Sequence, residues 1–261
     1  MNVDIVADVG NSRIKWGACT KQGVKASASL PPGDPAAWQE QLREWGFTRS
    51  LSWAIGSVRP DVLEVLLAYL QGRGDTVRLL ARHDRLPLEV RTDAPERVGI
   101  DRLLNAVAAN SRLRRGAKNR QEKAAVIIDA GTAVTVDLIS PDGAFEGGAI
   151  FPGRRLMAAA LHDYIALLPL VVGTEASPPP VGKNTTAAIE AGIHHAAAGG
   201  INQLIRGQLG AHFPRMDHPV KPAVFLTGGD ALLLQNSIDN RVILWPEMTL
   251  EGLRLSAEAL P

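Results

Sequence analysis

Ala124-Ala-Val-Ile-Ile-Asp129-Ala-Gly-Thr-Ala133, continued by Val134-Thr-Val-Asp-Leu138, reads as an apolar strand that ends in an aspartate, turns through glycine and returns as a second strand. The same pattern stands at the N-terminus, in Val3-Asp-Ile-Val-Ala-Asp8-Val-Gly-Asn-Ser12 followed by Arg13-Ile-Lys-Trp16. Either hairpin alone is compatible with an ordinary Asp- or Asn-containing β-turn. Their repetition predicts two related halves. Gly10 and Gly131, lacking a Cβ and permissive of positive φ, would let turn N–H groups converge on an anion, with Asn11, Ser12 and Thr132 as added donors. Asp8 and Asp129 would repel a bare phosphate, so the pattern fits one whose oxygens share a cation with a carboxylate.

Outward from the hairpins, strands and helices alternate. Residues 23–30 predict a third strand, about 35–46 a helix after Pro31-Pro-Gly-Asp-Pro35, and Leu51–Ile55 a buried strand. Gly56-Ser57-Val58 then turns into a helix with Pro60 at its first position and Val62, Val65, Leu66 and Leu70 on one face. A short strand over 76–80 and a polar, Pro-punctuated loop lead to Gly99-Ile-Asp-Arg102, which opens the next helix. Asp101 suits the positive end of that helix dipole, whereas Arg102 does not and needs another reason to be there. The basic run Arg112, Arg114, Arg115, Lys118, Arg120, Lys123 carries no interleaved aromatic residue and reads as a cationic helix end and linker.

In the second half, 144–150 predict a third strand, broken by Phe151-Pro-Gly153 before a helix over 154–168. A long Pro-rich loop, 169–183, delivers Lys183-Asn-Thr-Thr186 to the start of another helix, interrupted at Gly199-Gly200 and running to about Leu209. Capping is one reading of those polar side chains. Ala223–Leu226 predicts a buried strand ending in Thr227-Gly-Gly-Asp230, where the glycines would admit a flat ligand such as adenine or simply form a tight turn. A strand at 242–244 and a helix over 250–260 complete the second half. This pattern is α/β.

The chain has 261 residues, 46% hydrophobic and 21% charged, enough for one large or two medium domains. Its net charge of +1 argues against nucleic acid as the main partner. The single cysteine, Cys19, excludes an intrachain disulfide and a thiolate metal site. The N-terminal stretch reads as a strand, not a signal peptide, and no apolar run approaches a membrane span, so the cytoplasm is expected. The six histidines lack H-x-x-x-H spacing, and neither G-x-x-x-x-G-K-[ST], G-x-G-x-x-G nor G-x-S-x-G occurs. The five tryptophans are most simply core or interface residues.

Taken together, Asp8–Trp16, Gly99–Arg102, Asp129–Ala133, Gly147-Gly-Ala-Ile-Phe-Pro-Gly153, Gly182–Thr185, Thr227–Asp230 and Leu250-Glu-Gly-Leu253 resemble the type III pantothenate kinases of the acetate and sugar kinase, Hsp70 and actin superfamily. The resemblance spans nearly the whole chain. It implies duplicated ribonuclease H-like lobes with mixed sheets flanked by helices, expected here as 1–118 and 119–261, and ATP in the cleft between them. It also implies ATP-dependent phosphorylation of pantothenate, the first step toward coenzyme A. By the same resemblance Asp8, Val9, Gly10, Asn11, Ser12, Arg13, Ile14 and Lys15 would cradle the ATP phosphates, with Asp8 holding Mg²⁺ through water and Thr132 binding phosphate from the second hairpin. Asp129 matches a monovalent-cation ligand (K⁺ or NH₄⁺). Gly99, Ile100, Asp101, Arg102 and Thr185 would contact pantothenate, Asp101 acting as catalytic base. A homodimer is implied, with pantothenate near its interface. Thr92 stands where many members carry a tyrosine; if that tyrosine covers the substrate, the resemblance implies that binding here is weaker or falls to another side chain. Two alternatives stay open on the residues alone: a non-catalytic regulator on the same fold, or a kinase of another small hydroxylated acid or sugar.

Overall fold

The first hairpin grows into an antiparallel meander of β1 (Ile5–Val9), β2 (Ile14–Thr20) and β3 (Gly23–Leu30). β4 (Ser52–Ser57) lies parallel to β1 and β5 (Thr76–Leu79) parallel to β4, giving the order β3-β2-β1-β4-β5. The second hairpin does the same. β6 (Ala125–Ala130), β7 (Ala133–Ile139), β8 (Phe145–Pro152), β9 (Ala223–Thr227) and β10 (Val242–Leu244) take the order β8-β7-β6-β9-β10 with the same senses. The expected duplication is therefore present as two five-stranded mixed sheets of one topology. β1 and β6 are near-continuous apolar runs because each is central and covered on both faces: Ile5, Val6, Ala7, Val126, Ile127 and Ile128 are fully buried. This computed structural model describes residues 3–116, 124–171, 173, 177–213 and 222–260.

The helices are α1 (Pro35–Glu44), α2 (Pro60–Gly72), α3 (Ile100–Gly116), α4 (Arg154–Tyr164), α5 (Thr185–His212), α6 (Ala231–Leu234) and α7 (Met248–Ala259). Asp34 caps α1 by accepting from the Ala37 N–H at 3.0 Å, and Pro60 opens α2 as expected. The buried stripe of α2 is Val62, Leu66 and Leu70; Val65, expected on that face, is exposed. Trp16, Trp38 and Trp53 form the centre of the first core, with Trp16 and Trp53 edge to face at 4.9 Å. The Trp53 indole N–H finds Asp75 Oδ2 at 3.0 Å, so that large side chain is buried without an orphaned donor.

Two compact units emerge, Met1–Arg112 with Glu247–Pro261, and Leu113–Pro246. The expected boundary thus needs a correction, because α7 belongs to the first unit and not the second. Leu250-Glu-Gly-Leu253 explains this. A Cβ on Gly252 would lie 2.0 Å from the Leu104 carbonyl, so only glycine lets α7 press onto α3. Buried Thr249 donates to Asn105 Oδ1 at 2.8 Å, which accounts for a polar residue inside the apolar face of α3. Arg254, 3% exposed, is bonded to Glu251 and Glu258, which hold its pKa above the ordinary value against the cost of burial.

Three further boundaries differ. Phe151 and Pro152 continue β8 rather than break it, since β8 is an edge strand and proline's missing N–H costs no ladder bond there. α4 stops at Tyr164, where Ile165 turns extended. α5 runs unbroken through Gly199-Gly200 for 28 residues. Each glycine costs about 1 kcal/mol of helix propensity, but Ile193, Ala197, Ala198, Ile201 and Ile205 are buried along the same helix and outweigh it. Of the basic run, Lys118, Arg120 and Lys123 and the 118/119 junction lie outside the described residues.

Candidate active site

The first hairpin places Asp8 at the carboxyl end of β1, across from Lys15 on β2 and beside Gly56 on the parallel strand β4. That is where β1's neighbours run in opposite senses, the usual ligand position in an open α/β sheet. Gly10 donates to the Arg13 carbonyl at 3.1 Å, closing a turn whose Asn11, Ser12 and Arg13 side chains are exposed. Gly10 and Gly131 do not adopt positive φ, contrary to expectation. Gly10 supplies space, since a Cβ there would meet the Arg13 carbonyl at a tight 3.2 Å, whereas one at Gly131 would make only ordinary contact with the Asp129 carboxylate at 3.4 Å.

Arg59, which sequence reasoning passed over, ties the tip of this turn to the start of α2. Its guanidinium donates to the Asn11 carbonyl at 3.0 Å and grips Asp61 through two bonds, 2.8 and 2.6 Å. The Arg59 hydrogen bond holds the Asp61 carboxyl down at about 2. The pair fixes the turn's backbone rather than contributing much stability, because it is solvent-exposed.

The start of α3 is brought to the same sheet end. A Cβ on Gly56 would touch Leu104 at 3.1 Å, Leu253 at 3.2 Å and Ile100 at 3.8 Å, so Gly99-Ile-Asp-Arg102 docks on β4 next to Asp8's parallel partner. Asp101 Oδ1 accepts from the Arg102 backbone N–H at 2.9 Å, and a Cβ on Gly99 would stand 2.6 Å from that oxygen. Gly99 is therefore glycine to make room for the Asp101 carboxylate. Asp101 and Arg102 are half-buried, and Thr92, in the preceding loop, is half-buried with its hydroxyl unpaired among the described residues.

In the second unit, Asp129 occupies the equivalent position on β6, beside Thr227 of the parallel strand β9, and Thr132 is exposed at the turn. Two glycines press on this hairpin. Gly153 donates to the Thr132 carbonyl at 3.0 Å, and a Cβ there would fall 2.2 Å from the Gly131 carbonyl. Gly228, at φ +96°, would put a Cβ 2.5 Å from the Ala130 backbone. Gly148 likewise abuts Val136 and Asp137. The Gly147–Gly153 and Thr227–Asp230 motifs thus build the support of the hairpin. Asn184 caps α5, accepting from the Ala187 N–H at 2.9 Å, so Thr185 beside it is not the cap and stays exposed.

This unit also holds a cavity of about 340 Å³, walled by Arg154, Arg155, Glu190, Ile193, Gly229, Asp230 and Leu233 among others. Neither arginine was singled out from sequence. The signal was available: both stand in the first turn of a helix, where the dipole disfavours cations, as for Arg102. Among the described residues no cluster of three or more His, Cys, Asp or Glu could hold a metal ion, and no helix is long and apolar enough to cross a membrane. A divalent ion at Asp8 fits this donor set as Mg²⁺ commonly binds, through one carboxylate, waters and phosphate oxygens.

Residues 5–207 match the family of type III pantothenate kinases. The chain belongs to that family. A type III pantothenate kinase of Alkalilimnicola ehrlichii is 32% identical over 95% of each chain, and one of Gluconobacter oxydans is 35% identical over 97% of this chain and 92% of its own. Among solved structures, a Baf family transcriptional activator of Campylobacter jejuni aligns with a TM-score of 0.59 at 21% identity over 97% of each chain. A Sinorhizobium meliloti protein described as a 2-dehydro-3-deoxygalactonokinase aligns at 0.54 with 16% identity, over 98% of this chain and 96% of its own. At those identities the two structures speak for the fold alone, which is of the actin, Hsp70 and sugar kinase type. As a type III pantothenate kinase family member the chain is a phosphotransferase.

Proposed function

We propose that Asp101 is the general base, and the first hairpin the phosphate cradle, of an ATP-dependent pantothenate kinase whose reaction opens coenzyme A synthesis. The observation that carries this is the docking of Gly99–Arg102 on β4 beside the strand that ends in Asp8, within one unit. A base next to a phosphate turn is what a kinase needs and what a pure binding protein does not. Asp101 would accept the proton of the attacking primary hydroxyl, and Arg102 would orient the substrate carboxylate through its planar fork of donors. The turn N–H groups of 10–13, with Ser12 and Lys15, would hold the ATP phosphates, and Thr132 would add a hydroxyl donor. Mg²⁺, held at Asp8 through water, neutralises phosphate charge when bound. We assign Asp129 to a monovalent cation and Thr185 to pantothenate, on the family's pattern.

We further infer a cytoplasmic homodimer. Tyr164 is 88% and Leu167 100% exposed, with Ile165, Leu170 and Val181 also exposed, large apolar side chains from the end of α4 to the start of α5 that a second copy would cover. Light scattering that gives a monomer with full activity at micromolar concentration would count against it.

The test of function is ADP release with pantothenate, with a panel of sugars and small hydroxy acids, and without acceptor. Pantothenate-dependent release is expected. Asp101→Asn should keep the melting temperature and nucleotide binding while slowing turnover by roughly 10² to 10⁴, toward the low end because phosphoryl transfer leans on positioning. Turnover within about twofold of wild type would remove Asp101 from the mechanism.

A further inference from the structure

Arg59 stands at the N-cap of α2, where Ser, Thr, Asn or Asp would hold the helix and where the helix dipole disfavours a cation. It makes no capping bond. Its backbone is pinned instead by Ser57, whose hydroxyl accepts from the Arg59 N–H at 3.0 Å and donates to the Arg59 carbonyl at 3.1 Å, with Pro60 fixing the next residue. Ser57 faces Val9 in the β1–β4 register, and the Val58 N–H donates to the Val9 carbonyl at 3.1 Å. The arginine therefore leaves the sheet beside the strand that enters the turn 10–13. Its side chain is fixed at the far end too. Asp61 accepts from Nε and Nη2 at 2.8 and 2.6 Å, which aims Nη1 at the Asn11 carbonyl, 3.0 Å away. An exposed ion pair adds little to stability, and here a favourable cap is given up for it. What the arrangement achieves is to point one donor at one carbonyl.

That carbonyl belongs to the central peptide of the turn, between Asn11 and Ser12. Rotation of the central peptide is what separates one turn type from another, and it reverses the C=O and N–H directions while the flanking strands stay in place. No cis bond is present, and in a trans peptide the C=O and the following N–H point in opposite directions. A guanidinium on the Asn11 carbonyl thus directs the Ser12 N–H to the other side of the turn, away from the start of α2. Side-chain burial does not fix this peptide, because Asn11, Ser12 and Arg13 are all exposed. The bond from Arg59 does.

We propose that Arg59 is a positioning residue of the phosphate turn: anchored by Asp61, it holds the 11–12 peptide so that the Ser12 N–H is presented to an ATP phosphate oxygen, without touching ATP itself. This rests on the kinase reading above and adds to it the residue that orients one turn donor. A donor aimed in advance costs no reorganisation when the phosphate arrives. With its charge matched by Asp61 and its fork occupied, the guanidinium acts through geometry and not as a free cation.

Steady-state kinetics with ATP and pantothenate varied separately, and thermal melting, test it on wild type, Arg59→Met, Arg59→Lys, Asp61→Asn and the Met/Asn double variant. Arg59→Met should raise KM for ATP by about tenfold, the equivalent of one charge-assisted hydrogen bond. KM for pantothenate should stay within about twofold, and the melting temperature within about 2 °C, the pair being exposed. Arg59→Lys keeps the charge without the fork and should resemble Arg59→Met, whereas a direct phosphate contact would be rescued by it. The sign of Asp61→Asn is decisive. It removes a negative charge and frees the arginine, so a direct contact predicts a lower KM for ATP, while loss of the anchor predicts one raised roughly threefold. The double variant should be no worse than Arg59→Met, since arm and anchor act as one device. KM for ATP within about twofold of wild type in Arg59→Met overturns the proposal, as do a lowered KM in Asp61→Asn and full rescue by lysine. If Arg59→Met melts well below wild type, Asp61→Asn decides alone. Wild-type protein that neither binds ATP nor releases ADP overturns the kinase reading and this one together, an outcome distinct from an active enzyme that ignores the substitutions.

Discussion

Gly153→Ala is a change of one methyl group that should damage nucleotide use without touching any polar side chain. At φ −70° and ψ 168° the backbone of Gly153 suits any residue, so no conformational strain is introduced. The cost comes from position. The new Cβ would sit 2.2 Å from the Gly131 carbonyl and 2.6 Å from that of Thr132, roughly 1 Å inside the ~3.5 Å at which non-bonded carbon contacts become favourable. Both obstacles are backbone of the second hairpin, which cannot rotate away as a side chain would. Either the turn or the start of α4 must move by about 1 Å. Overpacking of this kind costs about 1 to 3 kcal/mol, which for a domain of this size lowers the melting temperature by several degrees. A displacement of about 1 Å at a phosphate-binding turn can cost as much as 10²-fold in rate. The assays are thermal melting, and steady-state kinetics with ATP and pantothenate varied separately. Gly46→Ala, at φ +76° with open space around it, makes the contrast, since it is strained but belongs to the other unit, just after α1. It should lose stability with kcat/KM for ATP retained. If Gly153→Ala melts and turns over like wild type, the hairpin is not supported as described.

Gly207→Ala should stabilise the protein by up to about 1 kcal/mol, read as a raised urea midpoint, because Gly207 is an exposed position inside α5 with nothing within 4 Å of a new Cβ; a lowered midpoint would mean the helix is strained there. Asp8→Asn should raise the Mg²⁺ requirement although it removes a negative charge, and Thr132→Val should weaken nucleotide binding by about 1 to 3 kcal/mol; unchanged Mg²⁺ and ATP titrations in both variants would defeat their assignment. His194 is fully buried with Nε2 2.9 Å from the Ser237 hydroxyl, and burial, then Arg154, holds its pKa below 6.5. The folded state thus binds fewer protons than the unfolded chain between the lowered value and 6.5, so its stabilising effect is complete above 6.5 and is lost as pH falls through that window. Denaturation of wild type and His194→Gln across that range should show a shallower pH dependence in the variant, and equal slopes would mean that His194 is not the group responsible.

The sequence by itself determined the strands, the duplication and most of the motif residues, because these depend on local pattern. An apolar run ending in Asp-x-Gly is legible wherever it occurs, and its two copies led to two sheets of one topology. Proline at the start of α2 and the extent of β3 were equally local matters. What only the tertiary structure decided are the relations between segments distant in sequence. That α7 packs in the first unit depends on Gly252 meeting Leu104, residues whose complementarity no periodicity announces. The roles of Gly153 and Gly228 were hidden for the same reason: a missing Cβ has meaning only once its neighbour in space is known. Gly199-Gly200 read as a helix break because propensity is local, whereas the burial that overrides it comes from the rest of the unit. Arg154 is the extreme case. Its charge was visible in the sequence, but that it is buried, with Nε and Nη1 unpaired among the described residues, and lines a cavity follows from the packing of α4, α5 and the turn after β9, which only the folded chain brings together.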